Sequence, residues 1–149
     1  MVGVRTMQIS DYDVVLGLWS EAAGIGLSQA DSRENIAAFL ARNPGLSWVW
    51  EADSAVVGTA LCGHDGRRGY LYHVYVKREW RKQGIGEAMV ESCLASLAAD
   101  GIQKCHLYAY CENTNGASFW ERLGWQRRGD LIMYSKNLEI KRSTRTADS

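Results

Sequence analysis

The 149-residue sequence has no excess of charge of either sign, because seventeen Lys and Arg are balanced by seventeen Asp and Glu. A balanced chain has no whole-molecule field to draw it to DNA, RNA or an anionic membrane, which sets nucleic acid and membrane aside as partners. It also lacks an apolar run long enough to cross a bilayer and a basic-then-apolar leader, so the expected location is the cytoplasm. Cys-x-x-C pairing is missing: Cys62, Cys93, Cys105 and Cys111 stand apart, mostly inside apolar runs. There a thiol packs as a small hydrophobe, and a reducing compartment suits it. His64, His73 and His106 do not stand at ligand spacing from those cysteines, so no metal site is expected. Internal repeats and linkers are missing too. One domain over residues 1–139 followed by a polar tail, 140–149, is therefore expected. What the chain does have is 46% hydrophobic residues and six tryptophans, enough apolar area for one core.

The apolar pattern alternates between the helical and the strand period. "GVRTMQI" reads as a first strand, and Ser10 or Asp11 as the cap of a helix carrying Val14, Val15, Leu18 and Trp19 on one face. After the loop "GIGLSQADS", a second helix spans 33–42 and stops at Asn43-Pro44-Gly45. "SWVWEA", "AVVGTALCGH" and "GYLYHVYVK" follow as strands, joined by turns at Asp53-Ser54 and Asp65-Gly66. A long helix then runs to Ala99 and ends at Asp100-Gly101, "QKCHLYAY" is a strand, and "NGASFWERL" is a helix closed by Gly124. "GWQRR" and "LIMYSKNL" fit two last strands. The expected fold class is α/β of the α+β kind: a mixed, mostly antiparallel sheet of about seven strands with four flanking helices.

One junction asks for an anion. The third of those strands leads through Arg78, Arg81 and Lys82 into Gln83-Gly84-Ile85-Gly86 and then into the long helix. A helix start leaves backbone N–H groups unpaired, its dipole favours negative charge, and glycine admits a phosphate close to the backbone. A pyrophosphate, a nucleic acid backbone or a plain turn edged by solvated cations all fit that pattern. Neither common nucleotide loop does: Met89 stands where a Rossmann fingerprint needs glycine or alanine, and the Gly-Lys-Ser/Thr of a Walker loop is missing.

Two longer stretches carry a resemblance. "VYVKREWRKQGIGEAMVE" is similar to motif A of the GNAT superfamily of acetyl-CoA-dependent N-acetyltransferases, Arg/Gln-x-x-Gly-x-Gly/Ala, here Arg81, Gly84 and Gly86. "NTNGASFWERLGW" resembles its motif B through Asn113, Trp120, Gly124 and Trp125, with Ala117 one place late. The order of elements resembles that fold over residues 1–138. The resemblance implies acetyl-CoA as co-substrate, an amine acceptor, no metal, and a homodimer as a common assembly. It implies a cleft where the strand holding Val74, Tyr75 and Val76 splays from its neighbour and pairs with the pantetheine arm. Backbone N–H groups of Arg81, Lys82, Gln83, Gly84, Ile85 and Gly86 would hold the pyrophosphate. Asn113, Ala117 and Trp120 would line the arm and its sulfur end.

The resemblance leaves proton transfer open. The family's usual acid is a tyrosine where this chain has Trp120, and an indole N–H donates a hydrogen bond without surrendering its proton. The usual base positions fall on Tyr72 and Tyr70. Tyr72 reads either as a group working through water or positioning the amine, or as a cross-strand packer. Strict alternation puts Tyr70, Tyr72, Val74 and Val76 on one face and His73 and Tyr75 on the other, which makes His73 structural. Glu21, Asp31 and Glu34 read as attractors of a cationic amine or as solvated surface, and Tyr108, Tyr110 and Tyr134 as further donors. Two activities remain: acetyl transfer to a primary amine by direct attack, with water carrying protons, or acyl-CoA binding without catalysis.

Overall fold

In the computed structural model, which describes residues 3–111 and 113–139, the chain lays a five-stranded sheet between helices. Strands β1 (Gly3–Thr6), β2 (Trp48–Ala52), β3 (Ala55–His64), β4 (Gly69–Val76) and β5 (Cys105–Leu107) lie side by side in chain order. The first four run antiparallel, and β5 joins β4 in parallel. Helices α1 (Tyr12–Glu21) and α2 (Arg33–Arg42) separate β1 from β2, α3 (Ile85–Ala99) separates β4 from β5, and α4 (Thr114–Arg122) follows β5. The tail expected from residue 140 lies outside the described residues.

Each face of the sheet has its own apolar cluster. One gathers Ala60, Cys62 and Leu71 of the sheet with Ile85, Met89, Val90, Cys93 and Leu97 of α3. Those α3 positions recur at helical spacing, so one stripe of the helix is buried. The other cluster packs Val49 and Leu61 against Tyr12, Val15 and Trp19 of α1 and Ile36 of α2. Close approach fixes glycine where helix meets sheet: a Cβ on Gly69 would sit 2.6 Å from Leu97 Cδ1, and one on Gly58 2.9 Å from Met89 Cε.

Local chemistry explains the helix starts. The Ser32 hydroxyl accepts from the Asn35 N–H at the head of α2. Asp11 precedes α1, yet its carboxylate serves elsewhere: it accepts from the Gln8 N–H and from two Arg5 nitrogens, at 2.9 and 3.0 Å. Burial raises its pKa, and the Arg5 and Gln8 hydrogen bonds outweigh this, holding the carboxyl below its usual range. β1 is thereby tied to the start of α1.

The strand count departs from expectation. Residues 125–139 form no strand, so neither "GWQRR" nor "LIMYSKNL" joins the sheet. A strand needs a neighbouring ladder, and β5 is only three residues long and pairs on one side. Arg128 instead closes on Asp130 in a salt bridge, and the Ile132 and Tyr134 side chains stay in solvent. β5 is also shorter than the eight-residue stretch "QKCHLYAY", because pairing with β4 ends at Leu71–Leu107.

Candidate active site

That early end of pairing makes the site. β4 continues to Val76 while β5 stops, so among the described residues the β4 edge from Tyr72 onward has no ladder partner on the β5 side. A cleft of about 380 Å³ opens in the gap. Tyr72, His73 and Val74 form its β4 wall, and Leu107, Tyr108 and Tyr110 the facing one. Asn113 and Trp120 lie at one side, Gly24 to Gly26 cross the mouth, and Met133 reaches it from the chain after α4. The loop sits close: a Cβ on Gly24 would be 3.0 Å from Asn113 Nδ2. Glycine at 24 and 26 lets the "GIG" backbone rest directly on the Asn113 and Tyr110 side chains.

At the far end of β4 the chain makes a 3-10 turn over Arg78–Trp80 and then enters α3. Lys82 and Gly84 both take left-handed φ, +63° and +82°. Such a run of turns aims successive N–H groups into one concavity, which suits an anion. Ile85 is buried in the core, so the first turn of α3 is anchored by its side chain, and a helix start leaves its first N–H groups without intrahelical partners. The Arg81 Nε donates to the Val76 carbonyl at 2.8 Å, and its guanidinium lies over the Tyr75 ring. Arg81 therefore fastens the end of β4 to the turn.

The face assignment along β4 needs correction. Leu61 stands opposite Tyr72 and Thr59 opposite Tyr75, so three steps on β4 match two on β3. A β-bulge absorbs the extra residue at His73, whose φ is +51°. Past the bulge, parity inverts. Tyr72 packs edge-on against Phe39 of α2, His73 against Trp19 of α1, and Tyr75 donates to Glu21. All three face α1 and α2, whereas Val74 and Val76 pack with the α3 cluster. His73 thus shares a face with Tyr72, contrary to strict alternation, and both line the cleft.

The other expected residues distribute as follows. Tyr70 stacks on Tyr72 and Tyr108 at the closed end of the split, outside the cleft lining. Burial and the neighbouring Tyr108 and Tyr70 phenols push the Tyr72 pKa up, which keeps its hydroxyl protonated and unsuits it as a base. Trp120 lies edge-on to Phe119 and Trp125 at ring distances of 4.9 and 5.1 Å, which fixes its indole in the wall. Asn113 caps α4 by accepting from the Gly116 N–H at 3.0 Å. Ala117 lies on α4 but not in the cleft lining. Among the three carboxylates, Glu34 is exposed, Glu21 holds Tyr75, and Asp31 is buried beside His73. Tyr134 stays in solvent. The Asp31 placement was partly legible: Ser28-x-x-Asp31 is a capping-box pattern, and both of its hydrogen bonds form.

The site is thus a mixed sheet split between two parallel strands, with a glycine turn at the end of the longer one. Residues 13–125 match the acetyltransferase (GNAT) family, and the chain belongs to that family. An acetyltransferase of Yersinia enterocolitica is 30% identical over 137 residues, covering 92% of this chain and 96% of its own. One of Sodalis glossinidius is 28% identical over 135 residues, covering 91% and 94%. Among solved structures, the PaiA N-acetyltransferase of Thermoplasma acidophilum in complex with coenzyme A superposes with a TM-score of 0.71 at 20% identity. That match covers 85% of this chain and 90% of the other. AAC(6')-Iy in complex with a bisubstrate analogue superposes with a TM-score of 0.75 at 18% identity over 93% and 99%. Among the described residues no helix is long and apolar enough to cross a membrane.

Proposed function

We propose that this protein moves an acetyl group from acetyl-CoA to a primary amine of a small molecule or peptide, by direct attack in a ternary complex. The observation that carries the reading is the unpaired β4 edge running into the Gly84 turn, within a chain of this family. Backbone N–H groups from Lys82 to Gly86 take the pyrophosphate of coenzyme A, because the Arg81 N–H already donates to the Arg78 carbonyl at 3.2 Å. The free edge around Val74 and Val76 hydrogen-bonds the pantetheine amides as an added strand. The thioester then lies in the split, with Trp120 at its sulfur end.

Attack requires a neutral amine, a donor for the tetrahedral oxyanion and a departing thiolate. The amine nitrogen bonds to the carbonyl carbon, the carbon–sulfur bond breaks, and the proton leaves the nitrogen. A thiol pKa near ~8.5 makes thiolate a tolerable leaving group, so Trp120 in place of a tyrosine acid is compatible with turnover. A polarising indole N–H is enough. Cys111 is exposed, and Cys62 and Cys93 are buried. A hydrogen bond with the Cys93 thiol, together with burial, pushes the Cys62 pKa up, which unsuits it for an acyl-enzyme.

Two-substrate initial-rate kinetics test the route. Intersecting double-reciprocal lines are expected as acetyl-CoA and amine are varied together. Parallel lines, with an acetylated protein seen by mass spectrometry, would contradict direct attack. Acetyl-CoA binding without turnover on any amine would favour the acyl-CoA-binding alternative that Trp120 motivates.

A further inference from the structure

The β4 bulge turns a histidine toward α1 and into the cleft, beside a buried carboxylate that makes no salt bridge to Lys or Arg among the described residues. His73 Nε2 lies 2.7 Å from Asp31 Oδ1, and Asp31 is only 8% exposed. The carboxylate is itself fixed: Oδ2 accepts from the Ser28 N–H, and the Asp31 carbonyl accepts from the Tyr12 hydroxyl. Trp19, wholly buried, meets the imidazole edge-on at a ring distance of 4.8 Å. The ring is thus held by a carboxylate on one edge and by an indole at its side. With Nε2–H donated to Asp31, the lone pair rests on Nδ1, which has no hydrogen-bond partner among the described residues.

This arrangement is costly to hold. A non-glycine residue at left-handed φ stores about 1–3 kcal/mol, and such strain gathers where function requires it.

We propose that His73 is the group that takes the proton from the attacking amine, and that Asp31 is the positioning residue that sets its tautomer and orientation. The proposal rests on the acetyltransferase reading above and names its base. As the amine nitrogen bonds to the thioester carbon, its proton passes to Nδ1, the tetrahedral intermediate collapses with loss of thiolate, and the imidazolium returns the proton to thiolate or solvent. The surrounding titratable groups do not duplicate this role. From β4 come Tyr72 and Tyr75, both pushed up by burial. Tyr12 and Glu21 come from α1, the former held on the Asp31 carbonyl and the latter on Tyr75. Tyr108 and Tyr110 stand across the cleft.

The experiment compares wild-type protein with His73→Asn, His73→Gln and Asp31→Asn. Asparagine tolerates left-handed φ better than most residues, so His73→Asn keeps the bulge if any substitution does. Each variant is assayed for amine-dependent thiol release across pH, for acetyl-CoA affinity by calorimetry, and for unfolding midpoint. A lost general base lowers kcat by about 10²–10⁴-fold. Both His73 variants are expected in that range, with acetyl-CoA affinity unchanged and the acidic limb of the pH–rate profile abolished. Asp31→Asn is expected to lose less and to shift that limb. Folded His73→Asn with wild-type kcat and an intact acidic limb would overturn the proposal while leaving the acetyltransferase reading in place. A wild-type protein that binds acetyl-CoA but acetylates no amine would overturn both.

Discussion

Replacing Gly84 with valine is expected to weaken acetyl-CoA binding at least about tenfold. The residue sits at φ +82° at the start of α3, a conformation that costs a non-glycine residue about 1–3 kcal/mol and a β-branched one more. Every 1.4 kcal/mol is a factor of ten in affinity. Among the described residues, no atom beyond the adjoining residues lies within 4 Å of a Cβ built there, so this side of the turn is open rather than packed. Valine therefore acts twice, straining the turn and filling the approach to the N–H groups. Gly84→Asn should be milder, since asparagine tolerates this φ. Gly86→Val acts differently: its Cβ would stand 3.2 Å from Phe119 Cζ, pressing α4 away from α3. Calorimetric titration with acetyl-CoA reads all three. Wild-type affinity in a folded Gly84→Val protein would remove the basis for the phosphate cradle.

Trp19→Ala is expected to cost about 3–5 kcal/mol of stability, the range for truncating a large aromatic in a core. Trp19 has no exposed surface and sits among Val15, Ile36 and Leu61, where surrounding helices and sheet limit collapse into the hole. Against a total stability of about 5–15 kcal/mol, that loss leaves the fold marginal. Its indole N–H is buried without a partner among the described residues, so Trp19→Phe removes an unsatisfied group along with some volume and should cost much less. Urea unfolding separates the two variants. Because Trp19 also braces the His73 ring, Trp19→Phe should lower turnover more than it lowers acetyl-CoA affinity. Equal midpoints for Trp19→Ala and wild type would contradict the two-cluster core.

The helices and the meander were legible because their signals are local. α2 spans the range its caps dictated, and α3 begins and ends at the glycines that mark it. The strand–turn–helix junction at the glycines was legible too, since it lies in one continuous stretch. The bulge was not. "HVYV" alternates like any strand, and only the register against β3 shows that His73 and Val74 share one partner position. That one residue reverses which side chains meet α1, and with it the standing of His73. Likewise Asp31 and His73 lie 42 residues apart, and no local pattern joins them. The last two strands failed for the complementary reason: β-propensity in "LIMYSKNL" is local, but a strand exists only where a ladder accepts it.

The most direct test is amine-dependent release of thiol from acetyl-CoA by the purified protein, measured against a panel of small amines and peptide N-termini. The account predicts release that requires both protein and amine and that yields the N-acetylated product by mass spectrometry. Tight acetyl-CoA binding with no amine-dependent release across the panel would contradict it.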